Sequence, residues 1–126
     1  KQKLVEKVFM DLKNELQNMT DADLFNYVVN GIKQEEINGD EVIEVSKKDY
    51  PKYVKILSTK SGDLVDCDLL NKRLGNHYNL KLSNKPAMIK NGFMLMGTTF
   101  DLNFSIEETL EKLAKKYEKI IYEELN

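Results

Sequence analysis

An α+β fold in two layers, with helices packed on a small, mixed and mostly antiparallel sheet, follows from three features of the sequence. The first is a pair of strand patterns near the C-terminal end. Phe93-Met94-Leu95-Met96 is broken by Gly97-Thr98-Thr99, after which Phe100, Leu102 and Phe104 alternate with polar residues. Period-two alternation marks a strand with one buried face, and two such runs around a short glycine-containing break read as a hairpin. The second is helical periodicity at both ends: Leu4, Val8, Leu12 and Leu16 step by four, and Ile106, Leu110, Leu113, Tyr117 and Ile120 recur at four-three spacing. Apolar stripes of that kind belong to amphipathic helices. The third is the mixture of patterns in between, which gives the order ααβααβββα. Helices placed between and around strands stack on a sheet in two layers.

The first helix is expected over about residues 2–18. Its pattern already runs at Lys1, so residues 1–18 are expected to be the end of a longer helix. Thr20 with Asp23 is a cap signature, and Leu24, Phe25, Val28, Val29 and Ile32 form the face of a second helix. Asn38-Gly39-Asp40 reads as a turn and 41–45 as a short strand. Proline is tolerated in a first helical turn, so Pro51 places the start of a third helix close to Asp49. Ser61-Gly62-Asp63 is read as its stop and as the cap of a fourth, with Leu64, Val65, Leu69, Leu70 and Leu74 turned inward. Residues 77–82 alternate as a strand, expected to lie parallel to the first if the two are neighbours. Ser105 and Glu108 form a capping box for the last helix. Glu108–Lys112, Glu111–Lys115 and Lys119–Glu123 decorate its wet side, each contributing only a few tenths of a kcal/mol.

Composition narrows the possible functions. With 126 residues the chain suits one domain, able to bury roughly two thirds of its unfolded surface without metal or disulfide support. Nineteen basic and 21 acidic side chains give a net charge of −2, far from the footprint of a nucleic-acid binder. No apolar run approaches the roughly 18 residues of a membrane span, so no direct membrane insertion is expected, and a cytoplasmic location is the default.

Candidates for chemistry each have a plainer reading. His77, the single histidine, has no spaced carboxylate or thiol motif beside it. Cys67 is placed mid-helix between Asp66 and Asp68, whose charge disfavours a thiolate. Asp63, Asp66 and Asp68, and likewise Glu35, Glu36, Asp40 and Glu41, lack the alternating carboxylates and central glycine of a calcium loop. Gly92 and Gly97 flank a strand and suit turn or bulge geometry, not a phosphate cradle. Met88, Met94 and Met96 are read as core filling, with an adaptable binding surface as the other reading. Lys47, Lys48, Lys52 and Lys55 could form a modest basic patch. No catalytic, metal or cofactor site emerges from these residues.

The run from Ile89 to Met96, continued by Phe100 to Ile106 and Leu110, resembles the end of the E subunit of V-type and A-type ATPases. The N-terminal part agrees: an amphipathic helix, a second helix near Leu24–Ile32, a strand at Val42–Val45 and an Asp opening the next helix. A regulator of the flagellar export ATPase shares the same design, and a small α+β enzyme built on His77 is the contrasting reading. The resemblance implies a non-catalytic peripheral stalk, or stator, without cofactor. Its partners would be the G subunit, as a coiled coil, and the N-terminal part of the B subunit of the catalytic head. The residues expected to meet a partner are Leu4, Val8, Leu12 and Leu16 of the first helix and Tyr122 and Leu125 of the last.

Overall fold

The computed structural model describes residues 2–125, and for residues 2–5, 121, 124 and 125 it describes the backbone alone. Five helices and five strands follow in the order α1 (Gln2–Gln17), α2 (Asp21–Lys33), β1 (Val42–Glu44), α3 (Tyr50–Leu57), β2 (Leu64–Asp66), α4 (Asp68–Leu74), β3 (Lys81–Ser83), β4 (Gly92–Met96), β5 (Asp101–Ser105) and α5 (Ile106–Leu125). The sheet order is β2-β3-β1-β4-β5, with β1 and β3 parallel and every other pair antiparallel. The α+β class and the mixed, mostly antiparallel sheet agree with the sequence reading.

Two elements depart from it. Residues 64–74 are not a single helix: Leu64–Asp66 is strand β2, paired with β3 through Val65↔Leu82. Asp63 does not cap a helix; its carbonyl accepts the Asn84 amide at 2.9 Å, and its carboxylate accepts the Asn84 side chain at 3.0 Å. Leu64 and Leu69, expected inside, are 58% and 39% exposed. A single run rich in leucine carries both patterns, and pairing with β3 decides between them. The His77 strand is likewise shorter than expected, because residues 77–79 form a loop held by the Asn79 amide on the Gly39 carbonyl at 2.6 Å.

The core lies on one face of the sheet. Val65, Leu82, Ile43, Leu95 and Phe93 point to helices α2, α3 and α4, whose Leu24, Val28, Val29, Ile32, Tyr53, Leu57 and Leu70 are buried against them. On the other face the register sets Asp66, Lys81, Val42, Met96 and Asp101 in one row. Met94 and Met96 stand half-buried on that face, and Met88 is 98% exposed on the loop before it. Met88, Met94 and Met96 are therefore not core filling.

Local signals explain the starts of α2, β4 and α5. Thr20 Oγ1 accepts the Asp23 amide at 3.2 Å, and Ser105 Oγ accepts the Glu108 amide at 3.1 Å. The second half of the Ser105 capping box does not form, since the Ser105 amide donates to Asn103 Oδ1 at 2.9 Å instead. Gly92 has φ +89°, and a Cβ there would meet the Phe104 carbonyl oxygen at 2.5 Å. Only glycine lets the two strands close at the point where β5 passes into α5.

Candidate functional site

Two helices leave the body side by side. Helix α1 ends beside Asn91 and Gly92, where Leu16 and Gln17 line a crevice of about 410 Å³, and α5 begins there, with the Ile106 amide on the Asn91 carbonyl at 3.0 Å. The two run antiparallel, and Phe9 meets Tyr117 edge to face at 6.3 Å. This packing directs the α1 stripe onto α5, not onto the sheet.

Coverage of this pair is incomplete. Among the described side chains of α1 none is buried: Phe9, Leu12 and Leu16 are half-buried, Val8 is 40% and Met10 50% exposed. Among the described side chains of α5, Ile106 at its base is buried, while Leu110, Leu113, Ala114, Tyr117 and Ile120 are half-buried. Tyr122 is 69% exposed and makes a contact of its own. Leu4 and Leu125 have side chains outside the described residues. Of the candidate partner-contact residues, Leu12 and Leu16 are half-buried, at helical spacing from the Phe9 that meets α5, while Val8 and Tyr122 are exposed. The apolar stripes here are wider than the strip two packed helices cover, and in bundles further helices cover the remainder.

The base of α5 is held by a polar clamp that the sequence alone did not reveal. The Tyr27 hydroxyl on α2 donates to the Phe104 carbonyl at 2.9 Å and lies 2.7 Å from Thr109 Oγ1. A phenol has one proton, so the Thr109 hydroxyl donates to Tyr27 in turn. Burial raises the Tyr27 phenol above its ordinary value. Its ring stands edge-on to Phe93, which stacks on Phe104 at 4.8 Å. Gly31 makes room for Phe104, whose ring lies 3.1 Å from where a Cβ would sit. Glu107 accepts the Lys90 amide at 3.1 Å, and Glu111–Lys115 closes at 3.6 Å along the outer face.

The residues with chemical potential are dispersed. His77 is exposed on its loop and lies against Tyr78 at 4.6 Å. Cys67 is not mid-helix but at the N-cap of α4, fully buried, and burial pushes its thiol up to about 12. The Thr59 hydroxyl and amide both donate to the Asp68 carboxylate, holding it down to about 2. Among the described residues no three His, Cys, Asp or Glu side chains are arranged to hold a metal. Two of the four lysines of the basic patch are engaged: Lys55 with Asp21 at 3.3 Å and Lys52 with the Met19 carbonyl at 3.4 Å. Among the described residues no helix is long and apolar enough to cross a membrane.

Fold and site together define an α+β domain that carries an antiparallel helix pair with a half-covered apolar seam. Relatives of known name are similar to nearly the whole chain. The chain is 32% identical over 99% of its length to the E subunit of the V-type proton ATPase of Clostridium botulinum strain Loch Maree, and matches the E subunit of the V-type ATP synthase of strain Langeland equally well. It is 27% identical over 98% of its length to the E subunit of the V-type proton ATPase of Thermoanaerobacter pseudethanolicus. The chain spans about 60% of the length of these relatives. No family model and no solved structure matches. Over nearly its whole length the chain is similar to the E subunits of V-type ATPases.

Proposed function

We propose that the chain is the globular part of a peripheral-stalk protein, a single domain in which α1 is the end of a longer helix. Such a stator links the catalytic head to the membrane sector of a rotary V-type ATPase. It resists rotor torque, so that ATP hydrolysis or synthesis stays coupled to proton or sodium transport, and it performs no reaction of its own. The half-covered seam between α1 and α5 supports this reading most directly. A third apolar helix laid along Val8, Leu12, Leu16 and the exposed Tyr122 would complete a bundle. The G subunit supplies that helix in this reading, and the N-terminal part of the B subunit receives the body.

The test is co-purification with the G subunit and the head. The wild-type chain retains both, and Val8→Asp with Leu12→Asp loses the G subunit while its circular dichroism stays that of the wild type. A chain that ignores both partners overturns the reading.

A further inference from the structure

The β4–β5 hairpin has two ends, and the helix pair leaves from only one of them. At the opposite end its turn carries Phe100, 56% exposed, beside a cavity of about 120 Å³ lined by Ile37, Leu95 and Leu102 and edged by Glu36, Asn38 and Glu41. That volume is far below the roughly 300–1,000 Å³ of small-molecule sites and suits a single side chain.

The charge of this cavity is one-sided. Glu41 is buried, with 7% exposure, and its carboxylate accepts the Asn38 amide at 2.9 Å and the Gly39 amide at 2.7 Å. Among the described residues no Lys, Arg or His forms an ion pair with it, and none lines the cavity. A buried carboxylate held by amides alone lacks a countercharge. Glu36 adds a second carboxylate at the rim. Phe100 supplies an aromatic face of the kind that attracts cations.

We propose that this cavity is a docking pocket for one cationic side chain, arginine or lysine, of a partner protein. The aliphatic stem lies against Ile37, Leu95 and Leu102, the charged group faces Glu36 and Glu41, and Phe100 closes over it. That the partner belongs to the ATPase head rests on the stalk reading; the pocket's preference for a cation does not. The helix pair and the pocket then occupy opposite ends of one hairpin, so tension between two partners runs along its paired strands.

The experiment has two arms. In the first, the isotope-labelled chain is titrated with acetyl-arginine amide and followed by amide NMR. Saturable shifts at Asn38, Gly39 and Gly97 are expected, at least fivefold weaker with acetyl-norleucine amide and in the surface variants Glu36→Gln and Phe100→Ala. Absent or equal shifts overturn the pocket. In the second arm, the purified head is retained by the wild-type chain at least fivefold better than by Glu36→Lys with Phe100→Ala, while pairing with the G subunit is unchanged. Equal retention overturns docking through this pocket and leaves the stalk reading standing. If the wild-type chain retains neither the head nor the G subunit, the stalk reading fails, and the first arm still decides whether the pocket takes a cation.

Discussion

The hydroxyl of Tyr27 on α2 and that of Thr109 on α5 lie 2.7 Å apart, and through the Phe104 carbonyl they bind the base of α5 to the body. Tyr27→Phe keeps the ring against Phe93 but leaves two partly buried partners unsatisfied. A loss of about 1–2 kcal/mol is expected in denaturant unfolding. Amide exchange at the first turn of α5 should quicken in step.

Tyr53 is the contrasting case. Its ring fills the core and its hydroxyl is buried with no hydrogen-bonding partner among the described residues. Burial without a partner raises this phenol as well. Tyr53→Phe removes a stranded polar group and should leave stability unchanged or increase it by up to about 1 kcal/mol. Opposite signs for the two tyrosines, measured by the same unfolding curves, are the diagnostic result.

Gly92→Ala forces a Cβ to within 2.5 Å of the Phe104 carbonyl at a positive φ. Backbone strain alone costs about 1–3 kcal/mol, and the clash adds to it. Gly62 also has a positive φ, +134°, but its Cβ would meet nothing within 4 Å. Gly62→Ala should therefore cost strain alone, and the smaller fall in melting temperature of this variant checks the clash.

Two groups give pH and reactivity signatures. The Asp68 carboxyl is lowered from 3.8 to about 2 by the Thr59 hydroxyl and amide. A depressed folded value contributes stability above the unfolded value, and that contribution is lost as pH falls from near 4 through about 2. Asp68→Asn should flatten acid unfolding in that window. The Cys67 thiol, pushed up by burial to about 12, should resist iodoacetamide at pH 8 until the chain is unfolded.

How much of this could be read from residues alone depends on range. Caps at Thr20 and Ser105, the Gly97 turn and the stripe of α5 are local signals, and they stand where the sequence placed them. Leu64-Val65 could not be assigned so, because its strand state depends on Leu82, far along the chain. The same holds for the seam. Periodicity located the α1 stripe, but only the fold sets Phe9 against Tyr117 of α5, half-buries Leu12 and Leu16 and leaves Val8 exposed. The Tyr27 clamp joins residues 82 apart and has no sequence pattern.

Amide hydrogen exchange over α1 and α5, with and without the G subunit, tests the seam most directly. If a third helix completes the bundle, residues 6–20 and 110–123 exchange quickly in the chain alone and slow at least tenfold once the G subunit is added, while β1 and β4 do not change. Equal exchange in its presence and absence would contradict the account.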